Sequence, residues 1–305
     1  MRRKLVKQGV NALTVTLPAK WIEKKGLKAG DEIDVVEEEN KIEIYSDTLK
    51  EVKKKKIVVE LKSNHEKSVK IVLRVLYRQG YSTIRLKYKQ KELIKSIKHI
   101  LRNNLIGLEI VRIEDDFCDI DSITEPSSEK IDVLTRRVFY IIKDCYDVLI
   151  EDMVANDKLG YEKIIERVES LDRYCNFCLR TLHLDKKKDK DEVTYIQLYT
   201  FLILLGHTFL HLYNTVDFKK MNKESLKLVN VAKENFDNIT DGFIKKNIYL
   251  IEKVSGDLSD LMHKELKSEF KGFTDLNLFH YIKELYRNSY LVSSPCIGIS
   301  SIHEE

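Results

Sequence analysis

Proline is nearly missing from this chain: three occur in 305 residues, beside eleven glycines and one tryptophan. So few breakers exclude a proline-rich linker protein and long glycine-rich loops, and leave a chain that is regular for most of its length. Cysteine is scarce and odd in number, at 118, 145, 175, 178 and 296. Five thiols without a secretory leader exclude a disulfide framework and imply free thiols in a reducing cytoplasm. The opening "MRRKLVKQGV" is basic but has no apolar run behind it, so a signal peptide is not expected. Long apolar runs are lacking as well. The nearest approach, "IQLYTFLILLGHTFLHLY", is interrupted by Gln197, His207 and His211, short of the roughly 20 apolar residues a bilayer span needs. It reads as the central buried helix of a bundle. There is no glycine-rich phosphate loop and no nucleophile–base pair, which argues against an enzyme and leaves no cofactor to expect.

What is present is charge, unevenly spread. Residues 1–30 carry eight Lys or Arg against one acid, residues 31–48 one Lys against eight acids, and residues 49–113 eighteen Lys or Arg against five acids. The formal net charge is only +4, so the remainder is acidic. A basic first third joined to an acidic remainder points to an anionic partner at one end, nucleic acid or a membrane surface. A solvated lysine-rich face explains residues 49–113 equally well.

The local pattern divides the chain at 1–48, 49–125 and 126–305. Leu13, Val15 and Leu17 alternate with Thr14 and Thr16, the period of a half-buried strand. Pro18 starts a short helix, "AKWIEKK", which Gly26 stops. Gly30-Asp31 marks a turn, and Ile33/Val35 and Ile42/Ile44 alternate on two arms of a hairpin. In 49–125, "KIVVEL", "STIRLKY" and "GLEIVRI" predict strands. Val69, Leu73 and Leu76, then Leu93, Ile97, Ile100 and Leu101, predict the helices between them, in the order β-α-β-α-β. The acidic "EDDFCDIDSITEPSSEK" reads as a boundary. Beyond it the apolar period is helical, with helices expected from about 129, then 159–184, 192–216, 222–240, 243–267 and 274–294. The fold class is multidomain α+β: a small β module, a small basic α/β domain, and an all-α bundle of two three-helix repeats.

Residues 3–46, "VKQGVNALTVTLPAKWIEKKGLKAGDEIDVVEEENKIEIY" with its flanks, resemble the AbrB/SpoVT-type swapped-hairpin module, also found in MazE-type antitoxins. The match includes the strand ending in Pro18, Leu27, and Gly30-Asp31. The resemblance implies a homodimer of interleaved strands with a DNA-facing basic surface. Carried onto this chain, that surface is Arg2, Arg3, Lys4 and Lys7 on the first strand and its approach, with Lys20 and Lys24 on the short helix. The family's later pair of basic helix residues falls on Ile22 and Glu23, which weakens tight, sequence-specific binding. The segments "KIIERVESLDRYCNFCL" and "YLIEKVSGDLSDLMHKEL" resemble a PhoU-type helical domain, as in archaeal proteins that join such a module to a PhoU-like bundle. That implies a cytoplasmic regulator of phosphate uptake. It would work through DNA, components of a phosphate ABC transporter, or a histidine-kinase-like signalling partner. An antitoxin-like reading fits less well, because a short toxin-binding tail would stand where the bundle is.

PhoU-type bundles pair an acid with an Asp four residues on, so that both share one helix face and hold metal. Here the second position survives as Asp172 and Asp260, but the first is Val168 and Gly256. No metal site is expected. Cys175 and Cys178 read as buried thiols, His207 and His211 as satisfied core histidines, and Asp237 and Asp241 as capping residues around a helix end at Gly242.

Overall fold

The computed structural model of the protein describes residues 2–9, 12–38, 41–46, 55–124, 128–185, 191–261 and 275–301. Pro126, Glu39, Asn40 and residues 186–190 of the charged stretch after Leu184 lie outside them. The chain divides into two compact units, Met1–Lys53 and Lys54–Glu305.

In the first unit, β1 (Val6–Gln8) and β2 (Ala12–Thr14) form an antiparallel hairpin with Val6 opposite Thr14 and Lys7 opposite Leu13. The basic opening therefore supplies a strand of its own, and the expected strand at Leu13–Leu17 is shortened to β2. Helix α1 (Ala19–Lys25) follows Pro18, whose carbonyl accepts from the Trp21 and Ile22 amides. It stops at Gly26, where φ is +66°, a conformation that glycine adopts without steric cost. β3 (Asp34–Glu38) and β4 (Lys41–Tyr45) then pair with Val35 opposite Ile44. None of the described residues in this unit is buried. Leu5, Val6, Leu13, Val15, Val35 and Ile42 are all exposed.

The second unit opens with a four-stranded mixed sheet, ordered β5-β6-β8-β7. β5 (Lys55–Glu60) runs parallel to β6 (Tyr81–Lys87), whereas β8 (Phe117–Ser122) is antiparallel to both β6 and β7 (Leu108–Ile113). Helices α2 (Glu66–Arg78) and α3 (Leu93–Asn104) bury the stripes read from the sequence: Val69, Leu73 and Leu76, and Leu93, Ile97, Ile100 and Leu101. The correction is β8. It lies in the stretch read as a boundary, and it occupies an inner place in the sheet. Cys118 and Ile120 are buried in the core, while Asp119 on the other face takes two hydrogen bonds from Arg85, at 2.7 and 2.9 Å.

Among the described residues six further helices make the bundle: α4 (Ile131–Ala155), α5 (Tyr161–Leu184), α6 (Glu192–Thr215), α7 (Lys223–Lys245), α8 (Ile248–Asp260) and α9 (Leu276–Ser301). Helices α4–α6 pack as one trio and α7–α9 as another, joined where α6 meets α9 and α4 meets α7. Two helix ends differ from expectation. α7 runs through Gly242 to Lys245, because a Cβ at 242 would come within 2.6 Å of the Ile251 side chain. There glycine serves close packing and terminates nothing. Asp237 and Asp241 accordingly form ion pairs, Asp237 with Lys233 and Lys143, and Asp241 with Lys245. α9 continues past Pro295, since Val292, Cys296 and Ile299 keep the buried period and packing offsets a proline cost of about 3 kcal/mol. α6 has the length and composition of a membrane span. It packs against α4, α5 and α9, but it is not buried all round, for Val193, Ile196 and Leu204 are exposed.

Sheet and bundle meet through α5. The Arg180 guanidinium, buried, donates from Nη1 to the Tyr77 and Tyr81 carbonyls at 2.8 and 2.9 Å, and lies over the Tyr77 ring. Asn176 accepts from Arg78 Nε at 2.7 Å and donates to the Asn104 carbonyl at 3.3 Å. These bonds satisfy backbone carbonyls that packing removes from water.

Candidate nucleic-acid interface

The six cations read as DNA-facing all belong to the first unit, and all six are exposed. Arg2, Arg3 and Lys4 form the approach to β1, Lys7 lies on β1 opposite Leu13, and Lys20 and Lys24 stand one turn apart on a single face of α1. No ion pair occupies any of the six among the described residues. Their charges are therefore available to solvent or to an anion. The structure groups them as a strand set and a helix set, and no hydrogen bond among the described residues joins the two.

The scaffold under these charges is built locally. Gly26 sends its amide to the Glu23 carbonyl and Leu27 to the Ile22 carbonyl, which closes the end of α1. Asp31 then accepts from the Lys28 amide at 2.7 Å, fixing the turn into the acidic hairpin. Ile22 is half-buried and Glu23 exposed, so the position where a basic pair was looked for presents one carboxylate. Acids concentrate instead on β3 and β4. Within one small unit the basic strand and helix are thus separated in sequence from an acidic hairpin.

The residues weighed for metal lie in the second unit, and other groups engage them. Asp172 is buried on α5, with Oδ1 3.0 Å from His207 Nε2 and Oδ2 3.9 Å from Lys70 Nζ. Burial opposes its ionisation, but the hydrogen bond and charge of His207, helped by Lys70 and Arg74, prevail and hold the carboxyl below the usual carboxylate range. His207 is half-buried and His211 exposed, so neither is a core histidine; His207 is satisfied by Asp172. Cys175 and Cys178 are buried free thiols. Burial raises both thiols, Cys178 to about 12.

The Asp172 arrangement has a pH consequence. A depressed carboxyl contributes stability above its unfolded value, near 3.9, and loses it as pH falls through the lower folded value. Asp172→Asn should lower stability at pH 7 by about 1–3 kcal/mol, by weakening a charged hydrogen bond in a buried place. It should also flatten the acid limb of a stability–pH curve measured by urea unfolding. An unchanged acid limb in the variant would show that the pair carries no charge-dependent stability.

Comparison with known proteins bears on the first unit. A family model described as "Antidote-toxin recognition MazE, bacterial antitoxin" matches residues 6–57, from the start of β1 to the third residue of β5. No curated protein and no solved structure matches the chain. The matched stretch, which holds both hairpins and α1, is thus similar to a MazE-type antitoxin domain, and the match covers residues 6–57 of the 305.

Proposed function

We propose that this protein is a homodimeric DNA-binding regulator whose N-terminal unit contacts duplex DNA and whose second unit receives the regulatory input. The observation that carries the reading is the set of six exposed, unpaired cations on, and just ahead of, a stretch similar to a MazE-type domain, in a unit where none of the described residues is buried. Domains of this type dimerise and bind DNA, and a unit so small gains a core by pairing with a second copy. Lysines and arginines in that setting neutralise phosphates and set register, and an arginine can also read guanine.

The finer part of the proposal is that phosphate uptake is what the protein regulates, in the cytoplasm and without catalysis of its own. It is supported by the PhoU-type resemblance of a segment on α5 and of a second that begins on α8 and runs on outside the described residues. The second reading, an accessory protein that regulates a phosphate transporter by protein contact without touching DNA, is favoured by Ile22 and Glu23. The two part on one experiment. The intact protein is titrated, at low salt, against a duplex from upstream of its own gene and against a scrambled duplex. Binding to both, with modest preference for the first, supports the DNA reading. Binding to neither makes the N-terminal unit a dimerisation device and moves the proposal to the accessory reading.

A further inference from the structure

Where the sheet meets the bundle, a cleft of about 630 Å³ opens between α3, the start of β7 and α5. Its apolar lining includes Leu101, Leu105, Leu108 and Ile110. Lys98, Arg102 and Arg173 also line it, against one acid, Glu109. None of the three cations forms an ion pair among the described residues. Arg173 is the one of the three that α5 supplies. Its Nε is shut off from water and has no hydrogen-bond partner, while its guanidinium rests over the Tyr174 ring at 5.3 Å. A ligand in the cleft cannot reach that Nε and would meet other atoms of Arg173, beside Lys98 and Arg102.

From this geometry we infer that the cleft is an effector site for a nucleoside mono- or diphosphate. Guanidinium groups match the oxyanions of phosphate and hold them by two parallel bonds, and Lys98 adds a point charge. A bare oxyanion would leave most of the cleft empty and would make no use of its leucine and isoleucine lining. The volume lies within the range of small-molecule sites, which are mainly apolar with a few placed polar groups. A planar base suits that leucine and isoleucine lining, and Glu109 supplies an acceptor for sugar hydroxyls. Because Arg102 comes from the sheet domain and Arg173 from the bundle, a ligand held by both would tie the two parts together. The inference is independent of DNA binding by the first unit.

The test uses the full chain, with calorimetric titration and thermal unfolding in AMP, ADP, adenosine and inorganic phosphate. One AMP or ADP should bind per chain and raise the unfolding temperature. Adenosine and phosphate should bind about tenfold more weakly or worse, each lacking one half of the recognition. Arg173→Ala and Arg102→Ala should each weaken the nucleotide about tenfold or more. Arg102 is exposed, so its variant keeps the fold even if loss of Arg173 does not. Arg85→Ala, on the opposite face of the sheet, should change nothing. No saturable binding of AMP or ADP would overturn the inference. So would affinity equal to that of inorganic phosphate, or binding untouched by Arg102→Ala.

Discussion

Val35→Asp should convert the protein from dimer to monomer at micromolar concentration, as read by sedimentation velocity. Val35 sits on β3 opposite Ile44 and is 57% exposed in the protomer. Leu5, Val6, Leu13, Val15 and Ile42 are similarly open, in a unit where no described residue is buried. Apolar side chains spread over two short hairpins give no stability until something covers them, and a second copy of the same unit is the cover proposed. A two-fold interface would place the new carboxylate in it twice. Each buried, unpaired charge costs several kcal/mol, and a loss of about 4 kcal/mol already raises a dissociation constant roughly a thousandfold. The second unit has its own core and should keep its helical signal and unfolding transition. Leu159→Asp, at an exposed position before α5, is the matched control and should leave the dimer intact. If Val35→Asp sediments as the parent dimer does, or if the parent is itself monomeric, the pairing of N-terminal units is wrong.

How much of this could be read from the residues depended on how local the cause was. Helix α1 and its stop at Gly26 follow from Pro18, seven helix-compatible residues and a glycine, all adjacent in the chain. The stripes of α2 and α3 are periodic and were legible for the same reason. β8 was not, because its inward face offers only Cys118 and Ile120, and its outward acids blend into an acidic run. Arg85, on another strand, is what makes Asp119 a sheet residue. Gly242 and Pro295 misled for a related reason. Their local preference is to end a helix, and contacts with Ile251 and with the rest of the bundle overrode it. The cleft was illegible altogether. Arg102 and Arg173 come to line one cleft through the packing of α3 on α5, and no spacing in the sequence reports that.

Raising salt from about 50 to about 200 mM should weaken DNA binding by a thousandfold or more, if six to ten phosphates are contacted by the two N-terminal units. Each unit presents Arg2, Arg3, Lys4, Lys7, Lys20 and Lys24 exposed and unpaired, so a dimer has enough cations for that number. Counterion release makes the logarithm of affinity fall linearly with the logarithm of salt, with a slope near −0.9 per phosphate neutralised. Arg2→Ala with Arg3→Ala removes four charges from the dimer and should make the slope shallower by about 3.6. The fold should not suffer, since exposed charges of this kind contribute little to stability. Sequence preference should be modest, because Ile22 and Glu23 stand where further basic residues were looked for. The rival source of charge is the basic sheet domain, where Lys87 at the end of β6 and Lys89 just beyond it are exposed. Replacing both of those with alanine should leave the slope as it was. A slope that follows Lys87 and Lys89 and ignores Arg2 and Arg3 would move the DNA contact into the second unit and leave the MazE-type domain to pair the chains.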